Sequence, residues 1–221
     1  MFNKILIIED IDSISLGITS LLEKKTTADI KTTKYCDEAF LKIKKALYEK
    51  EPYDLVITDL SFKEDHRETK ITSGEELIKT IRKEQPDIKI IVYSIEDRPY
   101  KIKSLFDNLN INAFVIKDRE STFKLIEAME AINSSEQYIS PVVSQTLKDD
   151  SLLEIEDYDI ELIKCLSKGL TQDEISVLFR KQDKSPSSTS SIEKRINKLK
   201  IFFKAKNTIH LIAIAKDMGI I

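Results

Sequence analysis

The sequence predicts a two-part chain, a doubly wound α/β domain on a five-stranded parallel sheet followed by a small all-α domain. Three observations predict it. Short apolar runs rich in Ile and Val alternate with segments of helical period over residues 1–133, the pattern of parallel strands with covering helices. Beyond Asp157 the strand signal vanishes and only helical periods remain. The length of 221 residues suits two small units better than one or three, at roughly 100–200 residues per domain.

Strands are expected near residues 5–8, 29–33, 55–58, 88–93 and 113–116, with helices near 13–23, 37–48, 74–83, 100–108 and 122–132. The runs at Ile5, Leu55 and Ile88 are continuously apolar, as strands buried on both faces must be. Ser73 with Glu76 forms a candidate capping box for the third helix. After Ile132 the polar run Asn133-Ser134-Ser135-Glu136-Gln137 reads as the start of a linker over 134–156, with a short helix after Pro141. The tail predicts helices near 158–168, 172–179, 191–203 and 208–218. Gly169 suits a left-handed helix stop, Thr171 to Glu174 is a second capping box, and Asn207 can cap the last helix.

Composition narrows the class. Hydrophobic residues make up 41% and charged residues 33%, enough to bury cores and unlike a disordered, collagenous or membrane chain. The longest apolar runs are a few residues, and no basic-then-apolar leader opens the sequence, so neither a spanning helix nor export is expected. Cys36 and Cys165 are too few for a disulfide framework or zinc cluster, which suits a reducing cytoplasm.

The net charge of −3 hides a gradient. Asp149 to Glu161 hold seven acids and no base, whereas 162–221 hold 12 bases against five acids. A basic patch on a small helical unit points to a nucleic-acid partner, or to a solvated lysine-rich surface.

An open parallel sheet binds ligands beyond the carboxyl ends of its strands. Those positions are polar here: Glu9 and Asp10 after strand one, Asp59 after strand three, Ser94 after strand four and Lys117 after strand five. Carboxylates converging on one edge would repel one another unless a hard cation joined them, and magnesium fits such oxygen ligands. A cation beside Asp59 would screen an incoming phosphoryl group, so that the carboxylate can attack phosphorus. Ser94 and Lys117 can each hold a phosphoryl oxygen.

Residues 1–133 resemble the receiver domain of a two-component response regulator, with its flavodoxin-like sheet. The resemblance is carried by Ile7-Ile8-Glu9-Asp10, by the run Leu55 to Asp59, by Ile91-Val92-Tyr93-Ser94 and by Phe114-Val115-Ile116-Lys117. It implies that Asp59 accepts phosphate from a sensor histidine kinase and that Glu9, Asp10, Asp59 and the Ser61 backbone carbonyl hold Mg2+. It also implies that Ser94 and Phe114 shift together as a switch when phosphate arrives. The chain would then catalyse only its own phosphoryl transfer and dephosphorylation. Two departures stand out. Ser61-Phe62-Lys63 replaces the family's Met-Pro segment, and the matching Gly74 lies 15 residues after Asp59, so a charged insert from Lys63 to Lys70 lengthens this loop by about seven residues. Glu9 stands where Asp is more frequent.

In the tail, Ile192, Ile196, Leu199 and Phe203 project onto one stripe at 100° per residue, with Lys194, Asn197 and Lys198 opposite and Arg195 and Lys200 flanking. Such a helix can lie in a major groove, lysines on phosphates and Asn or Arg on base edges. Leu166 to Ile175, with 192–221, resembles a LuxR/NarL-type helix-turn-helix domain. That resemblance implies a four-helix unit over 157–221 that binds promoter DNA as a homodimer, with recognition helix residues Lys194, Arg195, Asn197, Lys198 and Lys200 as DNA contacts. The turn before that helix is about six residues longer than the family's, and Glu193 replaces a common base. Ser190 with Glu193 offers a capping box instead.

The expectation is therefore a cytoplasmic, DNA-binding response regulator that regulates transcription. Two other classes compete. A phosphorylation-gated interaction module would bind another regulator instead of DNA. A flavin enzyme would need a Ser/Thr/Gly-rich phosphate loop after strand one, where Glu9, Asp10 and Asp12 stand instead.

Overall fold

The computed structural model describes residues 2–63, 66, 68–147 and 155–221. The chain divides into two compact units, Met1–Asp97 with Ile102–Ser144, and Gln145–Ile221 with Arg98–Lys101.

The sheet strands are β1 (Lys4–Ile8), β2 (Asp29–Thr33), β3 (Leu55–Thr58), β4 (Lys89–Ser94), β5 (Ala113–Ile116) and β6 (Tyr138–Ile139), all parallel, in the order β2-β1-β3-β4-β5-β6. Helices α1 (Asp12–Lys25), α2 (Cys36–Tyr48), α3 (Gly74–Glu84), α4 (Pro99–Leu109) and α5 (Ser121–Asn133) connect them. The three central strands are buried almost throughout, which is why their sequences are continuous apolar runs. On one face, Ile5, Ile7, Leu55, Ile57, Ile91, Ala113 and Val115 pack against Ile18, Leu22, Leu125, Ala128 and Ile132 from α1 and α5.

The sheet has six strands, not the five expected. Residues 138–139, assigned to the linker, form the edge strand β6, and Pro141–Leu147 forms α6. The cause is backbone satisfaction at the β5 edge. Tyr138 N and Ser140 N donate to Asn112 O and Phe114 O at 3.2 and 3.0 Å, and Ile116 N donates to the fully buried Ser140 Oγ at 3.0 Å. A two-residue strand in a polar stretch carries no alternation to read.

Arg82 closes the opposite end of this unit. Its guanidinium donates to the carbonyls of Pro86, Ile88, Leu109 and Asn110 at 2.6–3.3 Å, which satisfies acceptors left over at the end of α4. Burial lowers its pKa from the usual arginine value.

The second unit contains α7 (Asp157–Ser167), α8 (Gln172–Lys181), α9 (Thr189–Phe202) and α10 (Thr208–Asp217). Ile160, Leu162, Ile163, Ile175, Phe179, Ile192, Ile196, Leu199, Leu211 and Ala215 form its core. Gly169 takes φ 83° after α7, and Asn207 Oδ1 accepts from His210 N at 2.8 Å to cap α10. The acids expected at 149–154 lie outside the described residues. Cys36 and Cys165 are buried and free. Burial, aided by Asp37, pushes the Cys36 thiol up to about 12, so it is an inert packing residue.

Candidate functional site

Backbone ladders bring the strand-end side chains together. Asp59 N donates to Ile8 O at 3.2 Å, and Lys117 N donates to Ser94 O at 2.8 Å. The side chains then converge on Asp59, which is 6% exposed. Ser94 Oγ donates to Asp59 Oδ1 at 2.6 Å, and Leu60 N donates to the same oxygen at 2.6 Å. Lys117 Nζ bridges Asp59 Oδ2 at 2.5 Å and Glu9 Oε2 at 2.7 Å. Ile11 N donates to Glu9 Oε1 at 3.2 Å.

The electrostatics follow from this burial. Glu9, 2% exposed, is pushed above the ordinary carboxylate range by desolvation, which outweighs Lys117. Desolvation alone would lower Lys117, but the hydrogen bonds and charges of Asp59 and Glu9 outweigh it and hold the ammonium above its ordinary range. The ammonium thus stays charged throughout the neutral range, and its stabilising contribution is lost only as pH rises through that raised value.

Glu9 and Asp59 meet across Lys117, whereas Asp10 Oδ2 accepts from Lys63 N at 3.0 Å. Among the described residues no three His, Cys, Asp or Glu side chains are grouped as a metal site. The donor chemistry still suits a hard cation, since Glu9, Asp10, Asp59 and the Ser61 carbonyl offer only oxygen.

Phe114 is fully buried on β5. The register pairs Val92 with Phe114 and Ser94 with Ile116, so Phe114 and Ser94 lie on the same face of neighbouring strands.

The long loop after Asp59 is tied at both ends. Ser61 bridges Ser73 as an isolated antiparallel pair, and Lys70 N donates to Asp37 Oδ2 at 2.8 Å. Within the insert, Glu64, Asp65 and Arg67 lie outside the described residues, and His66 is exposed. Ser73 Oγ accepts from Glu76 N at 3.3 Å, but Glu76 Oε2 returns to Thr72 N instead of Ser73 N. The capping box is therefore shifted by one residue.

Gly74 is the residue that sequence reasoning undervalued. A Cβ there would stand 2.0 Å from the Asp59 carbonyl oxygen and 2.9 Å from Leu60 Cα, so the backbone after Asp59 can lie on α3 only because Gly74 lacks one. Gly74→Ala is expected to destabilise the sheet unit by about 1–3 kcal/mol through overpacking, which calorimetry on the full chain checks.

In the helical unit the apolar stripe of α9 is buried, while Lys194, Asn197 and Lys198 are exposed and Lys200 is half-buried. Arg195 differs from the expectation of a DNA contact. Its Nη2 donates to Asp159 Oδ2 at 2.5 Å and its Nε donates to Asp159 Oδ1. Asp159 is fully buried in the first turn of α7, where it also accepts from Glu156 N at 3.0 Å. A buried carboxylate needs its charge answered, and Arg195 answers it in a bidentate geometry.

The cap of α9 also differs. Ser188 Oγ accepts from Ser191 N at 3.2 Å, so the helix starts earlier than expected and Ser190 with Glu193 form no box. Glu193 is left exposed.

At the carboxyl edge of this parallel α/β sheet a buried aspartate thus stands between a hydroxyl and an ammonium. The chain belongs to the response regulator family, its residues 5–130 matching the response regulator receiver domain. Receiver domains of this family generally bind Mg2+ for phosphorylation. Among solved structures the chain is similar to one of two RcsB dimers bound to two parallel DNAs, at 22% identity and TM-score 0.65, covering 97% of this chain and 98% of that one. It is also similar to RcsB of Salmonella typhimurium, at 20% identity and TM-score 0.69, covering 97% and 99%. The isolated REC domain of RcsB from Salmonella enterica serovar Typhimurium, with the phosphomimetic BeF3-, matches at 25% identity and TM-score 0.54, covering 66% of this chain and 99% of that one. The likeness extends the shared fold from the sheet to the helical unit. No curated protein sequence matches the chain. No helix among the described residues is long and apolar enough to cross a membrane.

Proposed function

We propose that the chain is a phosphorylation-controlled, DNA-binding response regulator. One observation carries the reading: Asp59 is buried with one oxygen on Ser94 and the other on Lys117. A carboxylate so held presents a nucleophile with an ammonium beside it to receive the charge of a transferred phosphoryl group. In this reading Asp59 is the phosphoacceptor from a sensor histidine kinase, and Glu9, Asp10, Asp59 and the Ser61 carbonyl would hold Mg2+, which would supply charge neutralisation for phosphoryl transfer. Lys117 then exchanges one carboxylate oxygen for a phosphoryl oxygen, and Ser94 with Phe114 forms the switch. Residues 1–133 act as the receiver, with β6 completing its sheet, and 157–221 as the output domain.

The output domain is proposed to bind double-stranded promoter DNA as a homodimer through Lys194, Asn197, Lys198 and Lys200, with Arg195 removed from that set. The exposed cations on α9 and the RcsB–DNA relatives support this reading. Lys194→Ala and Lys198→Ala are each expected to lower the slope of log affinity against log salt by about one unit. Titration of a labelled duplex at several salt concentrations checks this. The exposed Glu193 beside Lys194 favours a second reading, a module that binds another regulator. DNA retention that is absent or independent of salt would select it.

A further inference from the structure

A lysine ammonium rides on a flexible four-carbon stem, yet the Lys117 side chain is only 8% exposed and sits on Asp59 and Glu9 at 2.5 and 2.7 Å. Both partners are groups that the proposed chemistry changes. Asp59 is the residue to be modified, and Glu9 is a magnesium ligand in the same reading. While they change, the stem needs a support that does not react. The Tyr93 ring is placed to be that support, because the Lys117 ammonium lies over it, 5.4 Å from the ring centroid. At that distance a ring face attracts a cation.

The placement follows from the sheet. Tyr93 pairs with Val115, and the bond from Lys117 N to Ser94 O carries the β5 ladder one residue past the strand. Side chains two apart on a strand share a face, so Lys117 leaves β5 on the Tyr93 side. The other buried strand residues of this face are Ile, Leu, Val and Ala, so packing alone does not call for a ring. Nor does it call for a hydroxyl. Buried polar groups need partners, and Tyr93 OH shares a hydrogen bond of 2.7 Å with Ser121 Oγ, buried at the start of α5. The chain between Lys117 and Ser121 is fastened to the same helix end. Ser121 N donates to Asp118 O at 3.3 Å, Glu120 N donates to Asp118 Oδ1 at 2.9 Å, and Lys124 pairs with Asp118. The ring is thus held at its tip as well as its base.

We propose that Tyr93 is a positioning residue for Lys117, its ring face guiding the ammonium from the carboxylates to a phosphoryl oxygen while Ser121 keeps the ring in place. The inference rests on the reading of Asp59 as phosphoacceptor. It adds a residue that never touches the phosphoryl group and acts only through Lys117.

The test uses the full chain with acetyl phosphate and Mg2+, and reads the initial rate of phosphoryl uptake by mass. A second readout is the NMR shift of the Lys117 ε-methylene protons, assigned by their loss in Lys117→Arg. In the unmodified chain these protons are expected upfield of an ordinary lysine, because the ring current of Tyr93 shields them. Tyr93→Phe keeps the ring, so the shift should persist and uptake stay within about two-fold of the unmodified rate. Tyr93→Leu keeps an apolar side chain and removes the ring. Its Lys117 shift should return to the ordinary position and its uptake fall about ten-fold, with an unchanged circular dichroism spectrum. Where Tyr93→Leu does not fold, Tyr93→Met serves as the ringless variant, and the shift in the unmodified chain decides the geometry in either case. An ordinary shift there overturns the inference. So does a folded ringless variant that takes up phosphate at the unmodified rate. If Tyr93→Phe is as slow as the ringless variant, the hydroxyl carries the effect and the ring does not, which again overturns it. If the unmodified chain takes up no phosphoryl group, the Asp59 reading falls and takes this one with it.

Discussion

Asp59→Asn is expected to take up no phosphoryl group from a small-molecule donor in magnesium buffer, whereas the unmodified chain is expected to gain the mass of one. The effect is local. Phosphoryl transfer to Asp59 forms a P–O bond from a carboxylate oxygen as the donor's leaving oxygen departs with the electron pair of its own P–O bond, and an amide is no nucleophile for that step. The substitution preserves volume. The amide oxygen of the substituted side chain can still accept from Ser94 Oγ and Leu60 N, and Lys117 keeps Glu9 as its counter-ion at 2.7 Å. The folded sheet is therefore retained, and the loss is chemical. Chelating magnesium should abolish uptake by the unmodified chain as well. Persistent labelling of Asp59→Asn would move the acceptor elsewhere and sink the assignment.

The receiver site was legible because its residues fall where continuous apolar runs stop. In a parallel sheet those stops align, so Glu9, Asp59, Ser94 and Lys117 become neighbours through the strand register alone. What the sequence does not carry is which partners each group chooses. Glu9, Asp10 and Asp59 all stand at one edge, but only the tertiary structure shows that the Lys117 ammonium bridges Glu9 and Asp59 and that the Lys63 amide donates to Asp10. Strand β6 was hidden because two residues have no period, and its reason lies in the unpaired carbonyls of β5. Gly74 was matched by spacing, but its 2.0 Å approach to the Asp59 carbonyl is a tertiary fact.

In the helical unit, periodicity assigned the buried face of α9 correctly. It left the flanks ambiguous, because a projection gives an angle and names no partner. Ser187, Ser188, Ser190 and Ser191 are all residues of cap or turn type, so the choice of Ser188 depended on where Ser176 and Tyr158 fix the preceding carbonyls. Asp159 looked like one more member of an acidic connector. The signal that would have separated it is its spacing from Glu156, which places Asp159 at the third position of α7 and directs its carboxylate back to the cap amide.

Arg195→Met is expected to destabilise the helical unit on the scale of a core truncation although Arg195 belongs to the basic flank of α9. Asp159 is fully buried, and its two oxygens answer the Arg195 fork and the Glu156 amide. Removing the guanidinium leaves a buried carboxylate without its counter-ion, a change that costs on the order of 3 kcal/mol. In a unit of this size that lowers the melting temperature of the helical transition by about 12–24 °C. Lys194→Met, one position away and exposed, should stay within about 0.5 kcal/mol. Calorimetry on the full chain reads both, with the sheet transition as the internal reference. Pairing Arg195→Met with Asp159→Leu removes the orphaned charge as well as the cation and should recover much of the loss. The salt slope of DNA binding distinguishes a clamp from a contact. If Arg195 orients α9, Arg195→Lys leaves the slope unchanged while lowering stability. If Arg195→Met instead melts like Lys194→Met and reduces the slope by about one unit, Arg195 reaches the phosphates and the pairing with Asp159 does not hold the helix.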